Sequence, residues 1–440
     1  ISLAGAGAAP WLLDDLTRLD LVRRLEHTYP TLEQAGCKVG IGVATGCDRV
    51  FIGPLDELPV EASRKLPLVM ARETGLFARY GLEVELAREV SWANLRDKLV
   101  VGKLDAAHLL APLPMMTGHG AGGMRANLLT GLSLALNGNA ITLSRTLWDA
   151  LGGERDGSAP GMAAALRARI AGTPGAEPLT LATVHLFSMH TFQLRMWLRA
   201  GGVDPERDVR IIVLPPEQMC DSLARGIIDG FCVGEPWNTL AVQQGIGAVA
   251  ATGYEIWNNA PEKVLGVTEA WHNRHPATHL RLRIAIMAAC QALADPAQRE
   301  LAAQILSQPQ YLGLPVKILL PSLTGRFRRA KHLAPMDAPE FHVFGRYLAG
   351  FPWRSQAQWM VRSSSALLGK QVGEEQCRAL VQQCYRPDLY REAARHLGLP
   401  APSRDAKPEG QHAGCWEFEP GVLLGADLMI GERLFCRSAG

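Results

Sequence analysis

The chain has 440 residues, of which 48% are hydrophobic and 20% are charged, and 45 basic residues nearly balance 43 acidic ones. This composition is typical of a globular protein with two or three domains, and it excludes an intrinsically disordered chain. The net charge of +2 provides no global basic excess with which to bind nucleic acid or an anionic membrane surface.

Nine cysteines occur at irregular spacing, and no two of them form the C-x-x-C pattern of zinc and redox sites. We expect reduced, buried thiols, which are typical of a reducing compartment. The first residues are apolar and then acidic, without the basic start of a secretory signal. No run approaches the roughly 18 apolar residues that span a membrane. We therefore expect a cytoplasmic protein with no membrane span, metal or cofactor.

Two unusual segments open the chain, and a more regular pattern follows. Residues 10–34 predict a polar helix, and residues 38–53 predict two short β-rich runs joined by a glycine-containing turn. A helix then ends at Gly81, and the alternating run 82–86 predicts a half-buried strand.

Strands alternate with helices through the middle of the chain. The predicted strands are short apolar runs at residues 105–110, 141–143, 179–184, 209–214 and 228–233. The predicted helices between the later strands span residues 161–170, 190–200 and 216–225. This alternation is typical of βαβ units, so we expect mostly parallel sheets. From about Ala277 the pattern is mainly helical, and the tail after Leu399 is irregular.

Several motifs in a fixed order carry a specific resemblance. Residues 73–84, ETGLFARYGLEV, resemble the first helix and second strand of periplasmic-type solute-binding proteins. Five further motifs resemble the nitrate- and bicarbonate-binding branch of that family: SWANLRD (91–97), GKLDAAH (102–108), NGNAIT (137–142), VGEPWN (233–238) and APEKVLG (260–266). The resemblance implies an α/β, two-lobed, periplasmic-binding-protein-like fold with a ligand cleft between the lobes.

The resemblance also implies how the chain is divided. Residues 66–137 would form the first part of lobe I, residues 138–264 lobe II, and residues 265–440 a return to lobe I with a helical C-terminal region. Residues 1–65 form an atypical N-terminal segment that weakly resembles part of an adenine-specific DNA methyltransferase, in its GIGVATG, VFIG and RKLPL runs.

The resemblance places the ligand-binding residues at Trp92, Asn139, His190 and Lys263. Nitrate is planar, carries one negative charge and only accepts hydrogen bonds, so its site needs donors and no carboxylate facing the anion. The indole, amide and imidazole groups all provide N–H donors, and Ser188 is positioned to cap the helix that begins near His190. A core tryptophan, a structural histidine and a surface lysine are the ordinary alternatives for these residue types.

Lys263 is expected to provide the counter-charge. The resemblance implies that bicarbonate-binding relatives carry an acidic residue at this position and recruit a metal ion. A lysine here therefore predicts an anion site that requires no metal.

Asn139 departs from the transporter-type nitrate proteins, which carry glutamine at this position. Together with NGNAITLS (137–144) and LLAPLPMM (109–116), it resembles the cytoplasmic nitrate/nitrite sensor (NasS-type) branch. The resemblance implies that nitrate or nitrite controls an RNA-binding antiterminator of the ANTAR class. The chain itself is then expected to make no direct contact with nucleic acid.

Two other functions remain open. A nitrate-binding subunit of an ABC transporter would share the same cleft, and a signal peptide at the true gene start would favour it. An enzyme is the alternative of a different class. The chain lacks the N-P-P-[YF] and D-P-P-[YF] motifs of methyltransferases, and GHGAGG at residues 118–123 is not part of a G-x-x-x-x-G-K-[ST] phosphate loop. We therefore expect a binding protein and not an enzyme.

Overall fold

The computed structural model describes residues 62–431, with gaps at residues 88, 90, 122, 154–156, 370 and 371. The helix predicted over residues 10–34, the β-rich runs of residues 38–53 and nearly all of the atypical segment 1–65 lie outside the described residues.

Helices and strands alternate through most of the described chain. The helices are α1 (Ala62–Glu73), α2 (Leu76–Arg79), α3 (Trp92–Val100), α4 (Leu113–His119), α5 (Arg145–Ala150), α6 (Ala159–Ala171), α7 (Met189–Ala200), α8 (Gln218–Ala224), α9 (Trp237–Gln244), α10 (Gly253–Ile256), α11 (Glu269–Arg274), α12 (Pro276–Ala292), α13 (Pro296–Leu306), α14 (Val316–Thr324), α15 (Arg354–Leu367), α16 (Glu374–Cys384) and α17 (Pro387–Leu397). The strands are β1 (Ala107–Leu110), β2 (Leu128–Asn137), β3 (Asn139–Ser144), β4 (Leu179–Thr183), β5 (Val209–Val213), β6 (Gly230–Gly234), β7 (Gly247–Thr252), β8 (Pro261–Thr268), β9 (Arg326–Phe327), β10 (Met336–Asp337), β11 (His342–Val343), β12 (Trp416–Glu419) and β13 (Val422–Leu424).

The first large sheet belongs to lobe I and has the strand order β1-β8-β2-β11. All three of its strand pairs are antiparallel. All ten residues of β2 are buried, so this sheet is covered on both faces. Helices α12 and α17 pack against β2, and α12 also packs against α1. Helices α12 and α17 of the later part of the chain therefore return to lobe I.

The second large sheet belongs to lobe II and has the order β5-β4-β6-β3-β7. Strand β4 is parallel to β5 and β6, whereas β3 is antiparallel to β6 and β7. The prediction of mostly parallel sheets is therefore wrong. The βαβ units place β4, β5 and β6 parallel in lobe II, and β7 runs in the same direction, but β3, which enters from lobe I and lies between β6 and β7, runs in the opposite direction.

Two of the described segments that join the two sheets lie side by side. The first joins β2 to β3 through Gly138, and the second runs from β7 through α10 to β8. The amide of Asn137 donates to Asn259 Oδ1 at 3.3 Å, and the backbone N–H of Ala260 donates to Asn137 Oδ1 at 3.0 Å. Hydrogen bonds therefore tie the two crossings together directly.

The strand predicted over residues 82–86 is absent. Exposure alternates along this run as expected, with the apolar side chains half-buried and the glutamates exposed, but no described strand pairs with it. An alternating pattern indicates a half-buried surface but supplies no hydrogen-bonding partner, and a strand requires one. Among the described helices, none is long and apolar enough to cross a membrane.

Candidate functional site

The four predicted site residues lie on four different elements. Trp92 and Asn139 are the first residues of α3 and β3, His190 is the second residue of α7, and Lys263 is the third residue of β8. Asn139, His190 and Lys263 are each at most 1% exposed, whereas Trp92 is partly exposed. The structure brings all four residues together beside the crossings.

The carboxylate of Glu262 lies at the centre of this group. Its Oε1 accepts a hydrogen bond from Lys263 Nζ at 2.7 Å, and its Oε2 accepts one from Asn139 Nδ2 at 2.6 Å. His190 Nε2 lies 3.6 Å from Oε1, beyond hydrogen-bonding distance but close enough for an electrostatic contact. Three of the four predicted residues therefore surround one buried acceptor.

A β-bulge explains why Glu262 and Lys263 can meet, since adjacent strand residues normally point to opposite faces. In the ladder between β2 and β8, Ala135 pairs with Lys263 and Leu136 pairs with Pro261, with a shift of register between them. Glu262 is skipped in this pairing. Such an extra residue bends the strand and redirects a side chain, as bulges beside functional sites often do.

The sequence predicts donors with no carboxylate facing the anion, whereas the structure places the carboxylate of Glu262 against two of those donors. Glu262 is 1% exposed, and it supplies the negative charge that a buried Lys263 needs. An isolated ammonium group would lose its hydration on burial without compensation, and the carboxylate offsets that cost. The amino-acid types of the site predict donors correctly, but they do not reveal which acceptor the donors bind.

Gln193 is a site residue that the sequence motifs do not identify. It lies one turn after His190 in α7, and its Oε1 accepts a hydrogen bond from Asn139 Nδ2 at 2.8 Å. Its side-chain amide packs on Gly253, where an added Cβ would come within 3.1 Å of Gln193 Nε2. The i, i+3 spacing from His190 on one helix face is the signal that could have found it.

Asn139 therefore has both of its amide hydrogens engaged, one with Gln193 and one with Glu262. Its Oδ1 is buried and has no hydrogen-bond partner among the residues that the structure describes. An incoming anion can accept a hydrogen bond from this amide only if one of the two present acceptors gives way.

Trp92 contacts the site mainly through its ring. Lys263 Nζ lies 4.7 Å from the centroid of this ring, a cation–π arrangement, and the ring of His108 packs 5.1 Å away on the indole. Ser91 accepts a hydrogen bond from the backbone of Asn94 and caps α3 at this point, which fixes where Trp92 begins the helix.

The start of α7 forms an electropositive wall of the site. Ser188 Oγ accepts a hydrogen bond from Thr191 N at 3.2 Å, so the cap holds His190 in the first helical turn, where the helix dipole is positive. Burial, followed by the charge of Arg96, lowers the pKa of nearby His185 to about 4. The imidazole of His185 is therefore neutral near pH 7.

The arrangement is suited to binding a hydrogen-bond acceptor, and Glu262 is the acceptor that another group would replace. Lys263 and Asn139 donate hydrogen bonds to a single acidic group, and His190 at the capped start of α7 lies 3.6 Å from it. Within the described part of the chain, no cluster of three or more His, Cys, Asp or Glu side chains could hold a metal ion.

The two sheets, the paired crossings and the buried donors beside them define a two-lobed solute-binding protein, and the predicted fold class is confirmed. Residues 60–307 match the model of the NMT1-like family. The chain belongs to this family.

Similar proteins are known from cyanobacteria. The bicarbonate-binding protein CmpA of Synechococcus elongatus is 31% identical over 376 residues, which are 82% of this chain and 81% of CmpA. The crystal structure of the periplasmic nitrate-binding protein NrtA from Synechocystis PCC 6803 aligns with a TM-score of 0.72 and 29% identity, covering 83% of this chain and 93% of NrtA. Both are binding proteins, which confirms the expectation that the chain is not an enzyme.

A third relative is a longer protein. The nitrate import ATP-binding protein NrtC of Synechocystis is 38% identical over 336 residues, which are 76% of this chain. The chain spans about half the length of the NrtC and CmpC proteins that it matches, 49% in the case of this NrtC.

Proposed function

We propose that the chain is the anion-recognition component of an ABC-type import system and that its ligand is nitrate. The observation that carries the proposal is the convergence of Asn139, His190 and Lys263 on one buried carboxylate beside the crossings, with the ring of Trp92 against Lys263. Similarity to NrtA, a nitrate-binding protein, supports the choice of ligand.

Nitrate binds in this proposal by taking over donors that Glu262 now engages. Lys263 Nζ donates to the carboxylate, and the same ammonium group lies over Trp92. A nitrate beside the ring would accept a hydrogen bond from Lys263 and contact the start of α7, where backbone N–H groups and the helix dipole favour an anion. Glu262 then no longer accepts the hydrogen bond from Lys263, and it keeps its contacts with Asn139 and His190.

Lys263 suits a monovalent anion such as nitrate or bicarbonate. A fixed positive charge neutralises a monovalent anion directly, and no described cluster of side chains could hold a metal ion to do so. CmpA is a bicarbonate-binding relative, so bicarbonate is the competing ligand to be tested.

Isothermal titration calorimetry of the purified chain against nitrate, nitrite, bicarbonate and sulfate tests the proposal. We expect saturable binding of nitrate at one site and at least tenfold weaker binding of bicarbonate and sulfate. Saturable binding of bicarbonate alone would contradict the choice of nitrate and identify bicarbonate as the ligand. Absence of heat with all four anions would remove the proposed function altogether.

The sensor function expected from the sequence is a second proposal. It rests on Asn139, at a position where the resemblance implies glutamine in transporter-type proteins. The shorter side chain of Asn139 donates a hydrogen bond to Glu262. In this proposal the chain acts in the cytoplasm, and nitrate or nitrite releases an ANTAR-type antiterminator. Relatives named for binding and import support the transport function better.

Linkage gives the sensor proposal a direct test. If nitrate and the antiterminator favour different states of one protein, each must weaken binding of the other by the same factor. The affinity for the antiterminator is measured with and without saturating nitrate, and the affinity for nitrate is measured with and without the antiterminator. The two ratios of affinity should be equal. An antiterminator that does not bind, or that binds equally well at saturating nitrate, contradicts the sensor proposal and leaves nitrate binding intact.

A further inference from the structure

A cavity of about 250 Å³ lies between α7 and α15. Its lining residues on α7 are spaced i, i+3, i+4 and i+7, and those on α15 follow the same spacing, so one face of each helix borders the space. None of these residues belongs to the group around Glu262.

The inner end of the cavity is apolar. Phe192 and Met196 of α7 and Trp359 of α15 line it, and they are 3%, 6% and 4% exposed. Phe192 and Trp359 meet edge to face, with ring centroids 5.7 Å apart. An aromatic or aliphatic group that enters here would leave water and pack against aromatic side chains, which is favourable.

The outer end of the cavity is basic. Arg195 and Arg199 of α7 and Arg362 of α15 line it. Arg195 and Arg199 both contact the carboxylate of Glu206, whose side chain is 53% exposed. Arg362 pairs with Glu374 at 2.8 Å.

Arg195 is the deepest of the three guanidinium groups, since only 9% of the residue is exposed. Burial, followed by the charge of Arg199, lowers the pKa of Arg195 below its ordinary value. A second anion near this pair would therefore be stabilised, and planar guanidinium groups bind a carboxylate with two parallel hydrogen bonds.

We propose that this cavity binds a small amphipathic organic anion, with a carboxylate held by Arg195 and Arg199 and an apolar body packed on Phe192 and Trp359. Charge complementarity selects the acidic group, and the aromatic inner end selects the apolar body. The cavity of about 250 Å³ is slightly smaller than typical ligand pockets, which hold roughly 300–1,000 Å³, so its ligand must be a small molecule. The site is independent of the nitrate proposal.

Calorimetry of the full chain with 3-phenylpropionate, and with 3-phenylpropanamide as its uncharged analogue, tests the site. We expect saturable binding of the acid, at least tenfold weaker binding of the amide, and at least tenfold weaker binding of the acid to Arg199→Gln. Arg225→Gln serves as a matched control, because this exposed arginine also pairs with one carboxylate, that of Asp221.

A second variant fills the cavity without removing charge. Ala366 is an exposed lining residue on α15, so Ala366→Trp should abolish binding, whereas Ala168→Trp, at an exposed position of α6, should leave it unchanged. Equal binding of acid and amide, or binding that survives Ala366→Trp, overturns the proposal. Heat from poly-glutamate with none from 3-phenylpropionate also overturns it and assigns the surface to an acidic protein segment.

Discussion

At the scale of single residues, the central feature is a buried acid beside a buried base in one strand. Glu262 and Lys263 are adjacent, at most 1% exposed, and joined at 2.7 Å. A buried ion pair adds little stability over apolar residues of similar size, but removal of one partner is costly. The pair is therefore better explained by what it can bind than by the stability it provides.

Glu262→Gln should make stability depend strongly on nitrate. The substitution keeps the shape but leaves Lys263 without a counter-charge, so we expect a loss of about 3–5 kcal/mol in the free energy of unfolding. Nitrate would replace the missing charge and stabilise by mass action, by about 2.7 kcal/mol at 100 times its Kd.

Melting temperatures measured with and without 10 mM nitrate test this. The rise in Tm should be larger for Glu262→Gln than for the parent, and Glu375→Gln, an exposed position on α16, should behave as the parent does. Equal nitrate shifts in Glu262→Gln and the parent would show that Glu262 does not compete with the anion.

At the scale of elements, the short crossing between β2 and β3 controls how the lobes meet. Gly138 has a φ of +84°, and an added Cβ would lie 2.2 Å from the ring of His342. Only glycine avoids both the unfavourable backbone conformation and the collision.

Gly138→Ala should therefore cost at least about 2 kcal/mol more than Gly175→Ala in the free energy of unfolding, because strain and steric overlap add. Gly175 is a matched control, since its φ is +80° and nothing lies within 4 Å of an added Cβ. Urea denaturation of both variants measures the difference. Similar losses would mean that the crossing can shift away from His342 without cost.

Part of the structure could be predicted from the sequence because it depends on local patterns. The start of α7 follows from the Ser188 cap, and the motifs place Trp92 and Lys263 in one site. The antiparallel pairing of β2 with β8 joins segments more than 120 residues apart, so no local pattern specifies it. The bulge that turns Glu262 toward Lys263 depends on that pairing, and for this reason the carboxylate was not expected.

At the scale of the whole molecule, buried histidines make the fold sensitive to acid. Burial, followed by the charge of Arg283, lowers the pKa of His279 to about 2, from an ordinary value of 6.5. Below pH 6.5 the unfolded chain binds a proton at this residue and the folded chain does not, so stability falls as the pH falls.

His279→Gln should reduce this acid sensitivity. Between pH 7 and pH 5 the parent should lose about 2 kcal/mol more of its free energy of unfolding than the variant, the linkage expected for a histidine that stays neutral when folded. His396→Gln, at an exposed position of α17, is the control and should follow the parent. Urea denaturation at the two pH values gives the result, and parallel losses in parent and His279→Gln would contradict the assignment.

The nitrate affinity of Lys263→Ala, compared with that of Lys317→Ala, tests most directly whether Lys263 is the counter-charge of the anion. Lys263 is buried among the predicted ligands, and Lys317 is exposed on α14. Calorimetry should show binding weakened by about 2–4 kcal/mol in Lys263→Ala, the scale for truncating one partner of a buried charge pair, and unchanged in Lys317→Ala. Circular dichroism establishes that both variants are folded. Nitrate binding by folded Lys263→Ala at the affinity of the parent would contradict the central claim that Lys263 is the counter-charge of the anion.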